Sequence, residues 1–235
     1  MKRGFWVAML PFYLLALILT LGIAGIVSDA VTVIHQNTPP ERNHKIIIDA
    51  GHGGIDGGAT SCTGVLESAI NLEISLRLED LLRFLGYETV MIRRTDTSIY
   101  TQGNTIAVQK LSDLKERVRI VNETAHSVLI SIHQNTFSDS RYDGAQVFYA
   151  DTKGSKALAE VLQEGFVNSL NPGSKRTCKK ASGIYLMENI RSTGVLIECG
   201  FLSNPTEESK LRSPDYQKKL CAVIAFGLSE YLSNT

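Results

Sequence analysis

Short apolar runs alternating with helix-periodic segments predict an α/β fold: an open, largely parallel twisted sheet with helices on both faces. Three observations carry that expectation. Runs rich in Ile, Val and Leu read as buried strands, most clearly at Ile46–Ile48, Ser127–His133 and Gly194–Glu198. Apolar residues at helical spacing separate them, and glycine or proline punctuates the joins. Strands joined through helices call for right-handed crossovers, which make neighbouring strands parallel. In such sheets functional side chains gather at the carboxyl ends of strands.

The chain has 235 residues, enough for one sizeable core and too few for two comfortable domains. Met1-Lys2-Arg3 precedes an uncharged, mostly apolar stretch from Gly4 to Ser28. That stretch reaches the roughly 20 residues a bilayer-spanning helix needs. Ser28 and Ala30 also place small residues where a signal peptidase inspects, with Asp29 between them. Residues 1–30 are therefore a signal peptide or a single-pass membrane anchor, and either exports the remainder of the chain. A buried core helix is the bland alternative, against which stands the lack of any polar face. Residues 31–44, with Pro39-Pro40 and few core-forming side chains, read as a linker to one domain spanning 45–235.

Within that domain Ile46-Ile47-Ile48 is the first strand. Ile70, Ile74, Leu78, Leu81, Leu82 and Leu85 trace a helix that Gly86 stops. Tyr87 to Ile92 is the second strand; after a polar loop, Leu114, Val118 and Val121 mark a helix leading into "SVLISIH". "AQVFY" is a further strand, Leu158, Val161, Leu162 and Phe166 a further helix, and "GVLIE" the last strand. The closing helix carries Leu220, Val223, Ile224, Leu228 and Tyr231 on one side, with Pro214 in its first turn.

Charge and cysteines narrow the function classes. Lys plus Arg and Asp plus Glu both number 24, so no net field favours nucleic acid as a partner. Four scattered cysteines make no disulfide scaffold, and no C-x-x-C pair supports a zinc knuckle. Cys199 and Cys221 fall at apolar positions and read as buried thiols, whereas Cys62 and Cys178 lie in loops with their pairing open.

Three residues fit for metal binding or proton transfer stand at matching strand ends: His52, His133 and Glu198. The glycine-rich stretch around His52, "DAGHGGIDGGA", is not a phosphate cradle. From Gly51 and Gly53 a dinucleotide fingerprint would need glycine where Asp56 stands, and a P-loop lysine is missing. The glycines instead let the backbone bend sharply over the sheet edge. Glu67 opens the next helix, so its side chain comes from the first turn, where the helix dipole alone would also favour a carboxylate. Two imidazoles and a carboxylate, with a fourth position left to water, make the donor set of a catalytic zinc site. Glu198 then suits a proton carrier, the alternative being a salt bridge to Arg94 or Arg191.

With these residues in place, "IIIDAGHGGIDGGA", Glu67 ahead of "NLEISLRLEDLLRFLGYETVMIRRTD", "SIHQN" and "VLIECGFLSNPTE" resemble the motifs of zinc-dependent N-acetylmuramoyl-L-alanine amidases of the amidase_3 group. The resemblance runs from about Lys45 to Leu232. It implies an open α/β sheet, one Zn2+ held by His52, Glu67 and His133, and Glu198 as the catalytic carboxylate. The reaction implied is hydrolysis of the amide between the lactyl group of N-acetylmuramic acid and L-alanine in peptidoglycan. Asn135 and Arg117 fall where the family carries polar residues, with substrate and supporting roles both open, and Glu188 is either a further polar contact to substrate or merely a surface residue.

A catalytic domain behind one apolar leader, without glycan-binding repeats, is similar to the germination-specific members of the family, which act in spore cortex. That likeness implies a wall-facing enzyme in the forespore intermembrane space, a polysaccharide deacetylase acting downstream to form muramic-δ-lactam, and an accessory regulator. Residues 134–144 are too short to form the inhibitory helix of some relatives. The loop "GSKRTCKKASG" concentrates Lys175, Arg176, Lys179 and Lys180, suited to stem-peptide carboxylates or simply solvated. His35, His44 and His126 take no role. Two rivals stand beside the amidase: a zinc carboxypeptidase or endopeptidase acting within the stem peptide, and a membrane-tethered wall-binding protein without activity.

Overall fold

The computed structural model describes residues 44–235, which lie in one compact unit. The leader, most of the linker and His35 lie outside the described residues. Among the described residues no helix is long and apolar enough to cross a membrane.

A six-stranded sheet forms the centre: β1 Lys45–Ala50, β2 Glu88–Met91, β3 Ser127–Asn135, β4 Gln146–Tyr149, β5 Lys179–Lys180 and β6 Thr193–Phe201. Their order is β2-β1-β3-β6-β4-β5. All neighbours are parallel except β4 against β6. The exception has a simple origin. No helix separates β3 from β4, so the chain leaves the carboxyl end of β3, turns in a loop and descends the sheet.

Helices α1 Glu67–Phe84, α3 Ser155–Ser169 and α6 Pro214–Ser233 cover one face, where Ile46, Ile48, Ile130, Ile132, Val195 and Ile197 meet Ile74, Leu162 and Ile224. Alternation along the strands turns Ile47, Leu129 and Leu196 to the other face, under α2 Ile106–Glu123 and the short α4 Tyr185–Asn189. A last short helix, α5 Pro205–Leu211, sets Leu211 into the larger core. Each fully buried aliphatic side chain is worth about 1.5–3 kcal/mol, so the triplet Ile46–Ile48, buried on both faces, anchors the sheet.

The predicted α/β architecture is thus present, with differences that have local causes. Helix α2 starts at Ile106, well before Leu114, because Ile106, Val108 and Leu111 point to solvent and leave no inward stripe there. The elements β5, α4 and α5 are additions to the expected order, too short to give a periodic signal. Gly86, at φ 83°, ends α1 as expected. All four cysteines are free; Cys199 and Cys221 are buried, and burial pushes the Cys221 thiol up to about 12.

Candidate active site

The chain runs from β1 to β2 on one side and returns to β3 on the other, so the carboxyl ends of β1 and β3 flank a topological switch. His52 lies just past the end of β1, and His133 lies near the end of β3. Their rings meet edge to face with centroids 4.9 Å apart.

Glu67 comes to them from the first turn of α1, where Leu66 offers no side-chain cap. One carboxylate oxygen, Oε1, lies 3.0 Å from His133 Nδ1 and accepts from the Gln134 amide at 3.1 Å. The other, Oε2, accepts from the Ala59 amide at 2.9 Å and lies 3.3 Å from His52 Nε2. His52 Nδ1 faces Asp56 Oδ2 at 2.9 Å, which leaves Nε2 turned inward. One donor atom from each of His52, Glu67 and His133 lies within 4.8 Å of the other two.

Two glycines make this approach possible. A Cβ on Gly51 would sit 2.2 Å from His133 Nε2, and one on Gly58 would sit 2.6 Å from Glu67 Oε2. Gly51 therefore serves as space for the His133 ring rather than as the point of the bend. The bend falls on His52, at φ 61°, in the left-handed region that side chains seldom adopt, and continues through Gly53 and Gly54 at φ 132° and 57°, as expected of the glycines.

Glu198 stands directly across from His133 in the β3–β6 register. The residue is half-buried, but its Oε2 is buried and has no hydrogen-bond partner among the described residues. Burial pushes its carboxyl up to about 7, and the nearby Glu67 adds to the rise while the two histidines oppose it. The alternative salt bridges do not form: Arg94 pairs with Glu79, and no hydrogen bond from Arg191 to Glu198 occurs among the described residues. An unpaired buried carboxylate is costly unless something is meant to meet it.

Residues 46–230 match the family Amidase_3, N-acetylmuramoyl-L-alanine amidase. The chain belongs to that family. It is 36% identical over 196 residues to the germination-specific N-acetylmuramoyl-L-alanine amidase of Bacillus subtilis, covering 83% of this chain and 82% of the relative. Among solved structures it resembles the CwlD amidase of Clostridioides difficile, determined in complex with the GerS lipoprotein. The TM-score is 0.78 and the identity 38%, covering 82% of this chain and 100% of that one. The catalytic domain of CwlV from Bacillus (Paenibacillus) polymyxa aligns at TM-score 0.68 and 29% identity, over 82% and 99% of the two chains. The chain is accordingly an enzyme, an N-acetylmuramoyl-L-alanine amidase.

The donor chemistry of this amidase fits a divalent metal. Burial alone would raise the Glu67 carboxyl, yet the hydrogen bonds and charges of His133 and His52 hold it far below the usual carboxylate range. For His52 burial works to lower the pKa, and Glu67 and Asp56 more than reverse it, lifting it to about 9. Two imidazoles thus share one ionised carboxylate, an anionic centre at which a divalent cation can take the place of the His52 proton.

Beside these donors lies a cleft of about 190 Å3 whose walls include Asp56, Lys110, Leu114 and Ile184. A larger groove of about 590 Å3 runs between α3 and α6 past Phe226, but none of the donors lines it. Size therefore does not single out the candidate site; the convergence of His52, Glu67 and His133 does.

The remaining candidates sort clearly. Arg117 is buried behind the site, bonded to Asp49, Asp113 and the backbone of Ala50 and His52. Asn135 ends β3, where its carbonyl accepts from the Leu202 amide at 2.8 Å. Glu188 closes its own turn, accepting from the Gly183 amide at 2.6 Å. In the basic loop Arg176 lies over the Phe201 ring at 5.2 Å and Lys180 pairs with Asp151, so both have structural partners. Sequence reasoning missed Asp56, Asn71, Gln134 and Arg93. Asn71 carried a usable signal, since it follows Glu67 by one helical turn and donates to its Oε1 at 3.1 Å.

Proposed function

We propose that this amidase holds one zinc ion between His52 Nε2, a Glu67 oxygen and His133 Nδ1, and that Glu198 carries the proton in peptidoglycan hydrolysis. The observation that carries the reading is the convergence of three donors within 4.8 Å beside a buried carboxylate oxygen left without a partner. Zinc held there would supply Lewis-acid chemistry, polarising the amide carbonyl and lowering the pKa of a water. Glu198 would take the proton of the attacking water and return it to the departing nitrogen. The products are the free lactyl carboxylate of N-acetylmuramic acid and the amino group of L-alanine. Glu67 stays ionised between the histidines, and Asp56 holds the His52 ring with its Nε2 inward.

The likeness to a germination-specific amidase and to CwlD supports a role in spore cortex, on the path to muramic-δ-lactam, with a polysaccharide deacetylase acting next. The complex of CwlD with GerS supports a lipoprotein as the accessory partner. The apolar leader supports export and a membrane tether, and together with a cortex role it supports a location in the forespore intermembrane space.

Mass spectrometry of muropeptides after digestion by the full chain in detergent with zinc tests the reading. Peptide-free muramic acid and new L-alanine amino termini are expected. Release of D-alanine, or new termini within the stem peptide, would replace it by the carboxypeptidase or endopeptidase reading. Glu198→Gln should keep its zinc and lose turnover by about 10²–10⁴-fold; undiminished turnover would remove Glu198 from the chemistry.

A further inference from the structure

Beyond β1 the chain leaves its ladder, and three successive carbonyls, those of Ala50, Gly51 and His52, turn into the protein where each needs a donor. Two buried guanidiniums supply all three, and Asn71 Nδ2 adds a weaker bond to Gly51 O at 3.2 Å. Arg93, just past the end of β2, donates through Nε to Ala50 O at 2.7 Å and through Nη2 to Gly51 O at 3.0 Å. The same Nη2 reaches Ser68 O at 2.8 Å, next to Glu67 on the first turn of α1. Arg117, from α2, donates to Ala50 O at 3.0 Å and to His52 O at 2.7 Å. Asp49, which also accepts from Ser131 Oγ at 2.6 Å, fixes the Arg117 end.

We propose that Arg93 and Arg117 are positioning residues that clamp the 50–52 backbone, hold His52 in its left-handed conformation, and join it at a set distance to the Glu67 turn. The proposal rests on the reading of His52, Glu67 and His133 as a zinc set. Its physical core is a conflict of signs. Arg93 is 3% exposed, and among the described residues no carboxylate lies at salt-bridge distance from it, whereas Arg117 is matched by Asp49 and Asp113. A positive charge beside a dication site weakens metal binding by simple repulsion. What Arg93 contributes must therefore be geometric: a planar fork joining one ligand loop to the first turn of another ligand's helix. A strained residue such as His52 persists only where its surroundings over-determine it.

Two variants separate geometry from charge. Arg93→Gln removes both charge and fork; Arg93→Lys keeps the charge and loses the fork. Zinc affinity is read on the full chain in detergent by competition with a chromophoric chelator, at a temperature where circular dichroism shows the metal-free variant folded. The clamp predicts that both lose zinc affinity by about 10–100-fold. The neighbouring Arg94→Gln, which breaks only the pair with Glu79, is expected to bind as the parent does.

Tighter zinc in Arg93→Gln, or parental affinity in Arg93→Lys, would show that charge alone matters and overturn the proposal. Variants that fold at no temperature would assign Arg93 to global stability and overturn it too. A parent chain that binds no zinc would instead sink the metal reading on which the clamp rests, an outcome distinct from equal binding by parent and variants.

Discussion

His133 and His52 reach the same centre by opposite means. His133 is part of β3, paired with β6 at Glu198 and directly following Ile132, the last residue paired with β1, so ladder hydrogen bonds place its Cα before any side chain acts. His52 stands beyond the end of β1 in a left-handed conformation, and its place depends on Arg93, Arg117 and Asp56. One arm is set by the backbone of the sheet, the other by polar side chains from α2, from the loop after β2 and from its own loop. Distant substitutions should therefore reach the metal through the His52 arm.

The largest expected effect removes a donor from each arm in turn. His133→Ala and His52→Gly should each abolish stoichiometric zinc uptake, measured by metal analysis of the purified chain, and with it turnover. Their metal-free stabilities should differ. Trimming His133 empties space within packed structure and costs about 1–3 kcal/mol. Glycine at position 52 relieves a left-handed residue worth about 1–2 kcal/mol, so above pH 9, where His52 no longer holds its proton between Glu67 and Asp56, that variant should melt no lower than the parent. If His52→Gly is the less stable of the two, the two arms do not differ as described.

Beside its loss of turnover, Glu198→Gln is expected to show a smaller effect on stability. Burial raises its carboxyl from 4.5 to about 7 in the metal-free protein. The fold thus binds a proton that the unfolded chain has already released between those values, and stability falls as pH rises through that window. Glutamine has no such proton to lose. Metal-free Glu198→Gln should match the parent near pH 4 and exceed it above pH 8 by about 3 kcal/mol, the linkage equivalent of that shift. Denaturant unfolding at the two pH values checks this, and a pH-independent difference would show that Glu198 is not held protonated by burial.

The same contrast explains what could be read from sequence. The sheet was legible because Ile46–Ile48, the "SVLISI" run and "GVLI" are apolar on both faces, a pattern few other structures tolerate. The donors were legible because residues at carboxyl ends of parallel strands converge, which needs no knowledge of side-chain geometry. The supporting residues were not. Arg93 meets Ala50 and Gln134 meets Asn71 across tens of residues of sequence, and an isolated buried Arg or Gln looks like any surface polar residue until the fold brings its partners. The role of Gly51 was hidden for a similar reason, since the His133 ring that needs its space comes from another strand.

The smallest expected effect probes the side-chain arm alone. Asp56 accepts from His52 Nδ1 at 2.9 Å and is itself held by Lys110 at 2.7 Å, so its charge fixes the tautomer that leaves Nε2 free for a metal. Asparagine in place of this aspartate keeps the size but not the charge, and Asp56→Asn should weaken zinc by about tenfold once His52 is neutral. Proton competition acts the other way. In the metal-free parent burial opposes protonation of His52, but Glu67 and Asp56 hold its proton up to about 9, and zinc must displace it below that value. The variant loses the Asp56 share of that hold, so it suffers less competition at neutral pH. Its deficit should therefore be small at pH 7 and widen toward pH 9, as measured by chelator competition across that range. A deficit that stays constant with pH would mean that Asp56 acts on the position of the ring without acting on its proton, and would move the control of the His52 arm entirely onto the two arginines.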